Sequence, residues 1–322
     1  MTISIIIPYF NASQYLYKCV EHLCRQTISD KLELIFVDDG STDDSTNVIN
    51  DTLNKFKFCG TVSFIYHAEN RGVAYSRKEG IEHATGEYVT FCDSDDWMED
   101  DMSEKMLSLA ISGGYDMVVC DYVNDYVDKA SYVSPNCFKE PFLRNLILCN
   151  VTGSLCNKLV KRNIYSSYDF VFPSRSYCED YVYSVQFAIY CRSIAYLPES
   201  KYHYCHREGS IVKATSKQAI DQRIEDNLCN YQLVESILVS NGLIDPLRSE
   251  IIALKLIIKN SITNYVHLRG YYSRWLNTFP EMTKEIFQSQ DVSLRSRIKY
   301  MITLIGVYPL YVKLRSIIKC QK

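Results

Sequence analysis

Clustered acidic side chains are the first feature of this sequence that could do chemistry. Asp93, Asp95 and Asp96 occur within four residues, directly after the apolar run Tyr88–Cys92. Ionised carboxylates this close repel one another unless a cation screens them, and Mg²⁺ characteristically binds one or two carboxylates together with substrate phosphates. If the segment is extended, Asp93 and Asp95 project to the same side and could hold a metal ion and a nucleotide hydroxyl. The alternative is a structural Asx turn that leads into the next helix.

A second acidic pair and an aromatic ring occupy similar positions in the chain. Asp39 is the second of two aspartates that follow the apolar run Leu32–Val37, and Phe10 comes shortly after Ile3–Ile7. Asp39 is harder to explain by helix capping, because it lies at a strand end beside a second carboxylate. An aromatic ring at a strand end could stack on a nucleobase, although a role in the core is the alternative for Phe10.

The first hundred residues alternate apolar runs with helical patterns, and these elements must position the side chains. Strands are predicted at Ile3–Ile7, Leu32–Val37, Val62–Tyr66 and Tyr88–Cys92. Helices are predicted at Tyr15–Arg25, from a cap at Ser41 or Thr42 through Leu53, and at Val73–Ala84. Strands that are apolar on both faces and alternate with helices indicate an open parallel sheet. Because such sheets bind ligands outside the carboxyl ends of their strands, the polar strand ends are expected to converge on one crevice.

The rest of the chain is less regular and then becomes helical. A strand is predicted at Met117–Cys120, a helix at Glu179–Tyr190, and one or two strands within Ile194–Tyr204. Beyond about residue 215 the pattern is wholly helical, with a break at Asn241-Gly242. With 47% hydrophobic and 23% charged residues, the 322-residue chain has a globular composition, which excludes a disordered or fibrous protein. Its 13 cysteines include no Cys-x-x-Cys pair, so reduced thiols are expected rather than a zinc site.

Several segments of the chain occur together in a recognisable order. The first four are Ser4-Ile-Ile-Ile-Pro-Tyr-Phe-Asn11, Leu34-Ile-Phe-Val-Asp-Asp-Gly-Ser-Thr-Asp43, Asn70-Arg-Gly72 with Ser76-Arg77, and Gly86-Glu-Tyr-Val-Thr-Phe-Cys-Asp-Ser-Asp-Asp96. Later ones are Cys156-Asn-Lys-Leu-Val-Lys-Arg162, Cys178-Glu-Asp180 and Tyr202-His-Tyr-Cys-His-Arg-Glu-Gly-Ser210. Together they resemble the family 2 glycosyltransferases, and the later ones resemble its bacterial capsule and lipopolysaccharide branch. The resemblance implies the α/β GT-A fold, a Rossmann-like, mainly parallel sheet flanked by helices, with a helical C-terminal extension.

The resemblance also implies a role for each residue at the strand ends. Phe10 would stack on the nucleobase of a nucleotide-sugar donor, and Asp39 would hydrogen-bond the edge of that base. Asp93 would contact the ribose, and Asp95 would bind the Mn²⁺ or Mg²⁺ that bridges the diphosphate. Arg77 would steady the phosphates or the aspartate loop. The implied donor is a UDP-sugar.

On the acceptor side, Asp180 matches the position of the family's catalytic base, with Glu179 as its supporting neighbour. The alternative for both is an acidic first helical turn that is stabilised by the helix dipole. His203 and Arg207 could reach the metal or the phosphates from a closing loop, or could simply be packed or surface residues. The implied reaction is one in-line displacement that inverts the anomeric configuration, in which Asp180 takes the proton of the acceptor hydroxyl.

These expectations divide the chain into functional parts. Residues 1–212 would form the catalytic domain, with 1–97 binding the nucleotide-sugar and 98–212 the acceptor, and 213–322 would form the helical C-terminal region. The implied function is transfer of a hexose or N-acetylhexosamine to a glycan acceptor, lipid-linked, in cell-surface polysaccharide biosynthesis. Two alternatives stay open: a polyprenyl-phosphate glycosyltransferase, and a catalytically silent nucleotide-sugar-binding assembly protein.

Charge is distributed unevenly along the chain. The net charge is −3, but no acidic residue follows Asp291, whereas Arg295, Arg297, Lys299, Lys313, Arg315, Lys319 and Lys322 do. The basic segment 292–322, interspersed with apolar residues, indicates attachment to a membrane surface, and a terminal helix packed on the domain is the alternative. The acidic remainder argues against a nucleic-acid partner. Without a signal-peptide pattern or a spanning run, we expect a cytoplasmic protein at the inner face of the cell membrane.

Overall fold

The computed structural model describes residues 2–126, 129–133, 137–206 and 216–312, with backbone alone for 129–133 and Ser167. Its strands are β1 Ile3–Tyr9, β2 Leu32–Asp38, β3 Thr61–Tyr66, β4 Tyr88–Phe91, β5 Trp97–Met98, β6 Met117–Tyr126, β7 Lys129–Val133, β8 Lys158–Lys161 and β9 Ile194–His206. Its helices are α1 Ser13–Cys24, α2 Ser45–Phe56, α3 Val73–His83, α4 Met102–Gly113, α5 Phe142–Ile147, α6 Ile164–Ser167, α7 Glu179–Tyr190, α8 Lys217–Ser240, α9 Arg248–Thr263, α10 Tyr271–Asn277, α11 Met282–Glu285 and α12 Leu294–Leu304.

The strands form one sheet in the order β3-β2-β1-β4-β8-β6-β9-β5, with β7 beside β6. The strands β1 to β4 pair in parallel, as the alternation of apolar runs and helices predicts. All seven residues of β1 are buried, because helices cover both faces of a parallel sheet. The later part of the sheet is mixed, since β8 is antiparallel to both β4 and β6, whereas β6 and β9 are parallel.

The predicted start of α2 is wrong. The helix begins at Ser45, so neither Ser41 nor Thr42 caps it. Their backbone N–H groups donate instead to side chains outside the helix, Ser41 to Asp38 Oδ1 at 2.7 Å and Thr42 to Asn11 Oδ1 at 2.8 Å. The loop after β2 is therefore bonded to the loop after β1, a contact that local capping rules do not include.

The helical C-terminal region packs onto the sheet half through α8 and α9. Residues of both helices, including Tyr231, Val234 and Ile251, belong to the main hydrophobic core. A second cluster lies among α9, α10 and α12 and contains the buried Trp275. The predicted break at Asn241-Gly242 is confirmed, because α8 ends at Ser240 and Gly242 has a positive φ. The proposed boundary between residues 212 and 213 lies outside the described residues.

None of the helices in the described ranges has the length and apolar character that spanning a bilayer requires.

Candidate active site

The loops that follow β1 and β2 are joined by hydrogen bonds at one edge of the sheet. The backbone N–H of Asp39 donates to Tyr9 O at 2.9 Å, and the N–H of Asn11 donates to Ser41 Oγ at 3.0 Å. Phe10 lies between these contacts with 46% of its surface exposed, so its ring is not part of the core. The polar ends of β1 and β2 therefore meet here, as the sequence predicts, with an accessible aromatic ring beside them.

Asp39 is buried and organises the loop that follows β3. Its Oδ1 accepts from His67 Nδ1 at 2.8 Å and from the backbone N–H of Arg71 at 2.8 Å. Its Oδ2 accepts from the N–H of Gly72 at 2.7 Å. Gly72 has a φ of 89°, and a Cβ there would lie 2.4 Å from Ser176 Oγ, so the position requires glycine. These bonds fix the carboxylate at the strand end.

Arg77 connects the strand-end aspartates with the start of α7. The buried guanidinium donates to Asp93 Oδ1 at 2.7 Å and also to Glu179 Oε1. Burial works against the charge, but Asp93 and Glu179 together raise the pKa of Arg77 well above its usual value. Arg77 thus links Asp93, which is predicted to bind the donor, with Glu179 on the predicted acceptor side. Of the two roles predicted for Arg77, this geometry favours steadying the aspartate loop.

The segment Asp93–Asp96 is a turn and not the extended segment considered from the sequence. The N–H of Asp96 donates to Asp93 O at 3.0 Å, which closes the turn. The hydroxyl of Tyr202 holds both ends of it, donating to Asp96 Oδ2 at 2.7 Å and accepting from the N–H of Asp93 at 3.1 Å. Burial, together with Asp93 and Asp95, raises the pKa of Asp96 well above its usual value. Asp93 and Asp95 therefore do not lie on one side of an extended strand.

A divalent cation would find oxygen ligands in this turn. Asp95 is half-buried at the turn, between Asp93 and the buried Asp96. In the described part of the chain, no group of three or more His, Cys, Asp or Glu residues is arranged to hold a metal ion alone. Mg²⁺ needs only one or two carboxylates when substrate phosphates supply further oxygens, so the chemistry of these side chains fits such an ion.

Asp180 lies in the first turn of α7, directly after Glu179, which Arg77 contacts. Its Oδ1 accepts from the N–H of Tyr181 at 2.8 Å, and it keeps a solvent-accessible edge although protein atoms surround it. Burial raises the pKa of Asp180, opposed by the charge of Arg77. Burial likewise raises the pKa of Glu179, to about 8. A carboxylate with a raised pKa is better suited to accept a proton near neutral pH than an ordinary aspartate.

His203 has its two ring nitrogens in contacts with other residues. Nδ1 lies 2.9 Å from Asp125 Oδ2, Nε2 lies 2.9 Å from Glu99 Oε1, and the ring stacks on Trp97 with 3.4 Å between centroids. This arrangement favours the packed alternative for His203. Arg207 lies outside the described residues.

The structure adds three residues that sequence reasoning did not select. They are His67, which contacts Asp39, Tyr202, which holds the aspartate turn, and Lys158, a buried lysine that affects the pKa of Asp180. A signal for His67 was available, since it directly follows β3 at the sheet edge where the other polar strand ends lie. Tyr202 and Lys158 lie in the motifs Tyr202–Ser210 and Cys156–Arg162, but their partners are distant in the sequence.

Known protein families and named relatives include sequences similar to this chain. A sequence model of Glycosyl transferase family 2 matches residues 4–177. EpsH of Bacillus subtilis (strain 168), named as a glycosyltransferase, is 30% identical over 262 residues, which cover 77% of this chain and 72% of EpsH.

Solved structures share the fold. TarS of S. aureus matches with a TM-score of 0.66 and 19% identity over 97% of this chain, and the match spans 55% of that TarS chain. TarS 1–349 in complex with UDP-GlcNAc matches with a TM-score of 0.59 and 18% identity, over 90% of this chain and 93% of that one. A mannosyltransferase of Pyrobaculum calidifontis in complex with GDP-Man and Mn²⁺ gives a TM-score of 0.54 and 16% identity, over 98% and 84% of the two chains. The predicted α/β fold with a helical C-terminal region is confirmed.

Proposed function

The chain belongs to glycosyl transferase family 2, and from this premise we propose that it transfers a hexose or N-acetylhexosamine from a UDP-sugar to a lipid-linked glycan acceptor in cell-surface polysaccharide biosynthesis. The observation that carries the proposal is the buried Arg77, which pairs with Asp93 on one side and Glu179 on the other. That bridge places the start of α7, where Asp180 lies, beside the aspartate turn. The complexes of TarS with UDP-GlcNAc and of the mannosyltransferase with GDP-Man support a nucleotide-sugar as the donor.

The proposed donor site is formed by residues 1–97. Phe10 offers an exposed ring for stacking on the base, and Asp39 is the carboxylate that accepts from the edge of the base. Asp93 contacts the ribose and is held in place by Arg77. Residues 98–212 then bind the acceptor, and 213–322 form the helical region that supports the catalytic domain.

We assign the divalent cation, Mn²⁺ or Mg²⁺, to Asp95 together with the donor diphosphate. A cation bound there would neutralise the negative charge that develops on the departing nucleoside diphosphate. Arg77 stays with its carboxylate partners and does not replace the cation at the phosphates. Asp96 is occupied by Tyr202 and Cys205, so its role is to hold the turn.

Asp180 is the proposed general base. It accepts the proton of an acceptor hydroxyl while the oxygen forms a bond to the anomeric carbon. The bond from that carbon to the diphosphate breaks in the same step, and the nucleoside diphosphate leaves with the electron pair. Attack from the face opposite the leaving group inverts the anomeric configuration, so an α-linked donor gives a β-linkage.

The test is substitution of Asp180 by asparagine, which keeps the shape but cannot accept a proton. Asp180→Asn should lower the transfer rate by at least about 100-fold, because general bases contribute roughly 10²–10⁴ in rate, and should leave UDP binding nearly unchanged by calorimetry. Asp95→Ala should lose transfer as well and weaken metal-dependent UDP binding. Asp51→Asn, on the exposed side of α2, is the control and should be fully active.

An active Asp180→Asn enzyme would contradict the assignment of the base. Full activity of that variant on a polyprenyl phosphate would favour the polyprenyl-phosphate alternative, because a phosphate acceptor needs less help from a base. A wild-type chain that binds the donor but neither transfers its sugar nor hydrolyses it would favour the alternative of a catalytically silent nucleotide-sugar-binding protein.

The basic C-terminal segment gives the proposed location, at the inner face of the cell membrane. In α12, Leu294, Ile298, Met301 and Ile305, the last directly after the helix, recur every three or four residues and are all exposed. We call these four residues the apolar stripe. Tyr300 faces the second hydrophobic cluster instead, so the helix is packed on one side and exposes apolar residues on the other. Residues 313–322, which hold the last four basic residues, lie outside the described part.

A further inference from the structure

We propose that His67 is a positioning residue that makes the base pocket selective for a base with a single N–H between two carbonyls, uracil or thymine, over guanine. The inference rests on the proposed nucleotide-sugar function and concerns which base the donor carries. It follows from how many acceptor positions of Asp39 are already occupied.

A carboxylate offers about four lone-pair positions, two on each oxygen. On Asp39, Oδ1 accepts two hydrogen bonds, from His67 Nδ1 and from the N–H of Arg71, both at 2.8 Å. Oδ2 accepts from the N–H of Gly72 at 2.7 Å. Among the described contacts, one position on Oδ2 is left for a ligand. The side chain is 5% exposed, so a ligand would meet only a narrow edge of it.

His67 is held in this orientation from both ends. Nδ1 lies 2.8 Å from Asp39 Oδ1, and Nε2 lies 2.6 Å from Glu79 Oε2 on α3. The side chain is 4% exposed, and the Tyr75 ring packs against it edge-on with 5.2 Å between centroids. The imidazole cannot turn away from Asp39 without losing both contacts, so Oδ1 stays occupied.

The nucleobases differ in what they present to one acceptor position. Uracil and thymine present one N–H at N3, which a single carboxylate oxygen accepts. Guanine presents two adjacent N–H groups, N1 and the exocyclic N2, and these need both carboxylate oxygens. With Oδ1 occupied, one donor of guanine would be left without an acceptor beside a buried carboxylate, which lowers affinity. Adenine and cytosine each have a ring nitrogen that accepts hydrogen bonds beside their exocyclic N–H donor. The lone pair of that nitrogen would face the carboxylate and repel it.

The experiment is calorimetric titration of the full chain with UDP, TDP and GDP in the presence of Mn²⁺. The wild type should bind UDP at least about tenfold more tightly than GDP, the size expected for one mispaired base contact. TDP presents the same N3–H base edge as UDP on a different sugar. Comparing the affinities of the two nucleotides therefore separates the contribution of the base edge from that of the ribose. His67→Leu should reduce the UDP-to-GDP ratio at least about threefold, because it releases Oδ1 for the second donor of guanine.

Two further variants separate positioning from folding. His67→Asn carries an amide N–H that can replace the Nδ1 donor and should restore the wild-type ratio. Glu79→Gln should reduce the ratio less than His67→Leu, because it weakens only the support of the ring. His83→Leu, an exposed histidine at the end of α3, is the matched control and should leave the ratio unchanged.

Equal binding of UDP and GDP by the wild type would overturn the inference. So would a His67→Leu variant that weakens both nucleotides equally, because a merely structural residue would behave in that way. If His67→Leu does not fold, the wild-type ratio and the Glu79→Gln variant decide the question. A chain that binds none of the three nucleotides contradicts the proposed function itself, whereas one that binds all three equally contradicts only the selectivity.

Discussion

Lys158 is a single residue whose buried charge links stability to pH. It is 1% exposed, and its Nζ donates to the carbonyls of Thr152 and Ser154 and, at 3.2 Å, to Asn157 Oδ1. Burial lowers the pKa of Lys158 from 10.5 to about 8, partly offset by the charges of residues such as Asp180. Between these two pH values the unfolded chain binds a proton that the folded chain does not. The contribution of Lys158 to the free energy of unfolding therefore rises with pH in this window, by at most about 3 kcal/mol.

Replacing Lys158 by methionine should remove this pH dependence. The free energy of unfolding of the wild type, minus that of Lys158→Met, should grow by about 1–3 kcal/mol between about pH 7.5 and about pH 10. Urea denaturation at the two pH values measures it. Lys78→Met, at an exposed position of α3, is the control and should show no such change. A constant difference for Lys158→Met would mean that the lysine is not charged differently in the folded and unfolded chains.

Those residues of the site that lie at the ends of strands were predictable from the sequence. Phe10, Asp39 and Asp93 follow apolar strands, and the parallel sheet brings those ends together. The partners of these residues were not predictable, because they are distant in the sequence. Arg77 and Glu179, for example, are separated by 102 positions and meet only because α7 begins beside the aspartate turn.

At the level of elements, α3 is held close to β1 by a glycine. Gly80 is buried against Ile6, and a Cβ at this position would lie 2.4 Å from Ile6 Cγ2. The close approach positions the helix that carries Arg77, which contacts Asp93 and Glu179, and Glu79, which contacts His67. Helix position and site geometry therefore depend on the same small residue.

Gly80→Ala tests whether the gain in helix propensity or the steric clash has the larger effect on stability. Alanine is the better helix former by about 1 kcal/mol, whereas overpacking a core costs about 1–3 kcal/mol. We expect the clash with Ile6 to dominate, so the variant should unfold at lower urea concentration and bind UDP more weakly. Glu82→Ala, on the exposed side of α3, lacks the clash and should change stability by less than about 0.5 kcal/mol. A Gly80→Ala protein as stable as the wild type would show that α3 can move away from β1 at little cost.

Elements with strong periodicity were predictable, and elements defined by tertiary contacts were not. The bounds predicted for β1 to β4, α3 and α7 agree with the structure within about two residues because their apolar patterns are regular. The predicted start of α2 is wrong because Ser41 bonds to Asp38 at the end of β2, and Thr42 to Asn11 in the loop after β1, instead of to the helix. The antiparallel pairing of β8 was not predicted, since four residues give too short a pattern to define a partner.

At the scale of the whole molecule, charge and apolar exposure divide the chain in the same place. Residues 1–291 carry a net charge of −10 and the following 31 residues carry +7. Among the described residues, seven of the exposed large hydrophobic side chains lie in the same C-terminal segment, from Leu294 to Tyr311. An exposed apolar face flanked by basic residues is the combination that attaches a helix to an anionic membrane surface.

The apolar stripe should therefore be required for membrane attachment and not for catalysis. The full chain should sediment with vesicles containing anionic lipid, less strongly at high salt, because salt screens the basic residues. Ile298→Glu combined with Ile305→Glu places two negative charges on the stripe and should abolish sedimentation, while transfer to a soluble acceptor stays unchanged. Val239→Glu combined with Ile257→Glu alters two exposed apolar residues elsewhere and should sediment like the wild type. If the stripe variant still sediments, the segment 292–322 is not the anchor. A helix bound to an anionic membrane would gain affinity both from its apolar stripe and from the basic residues beside it. If the wild type does not sediment, the segment does not bind such a membrane, and its basic residues serve another partner.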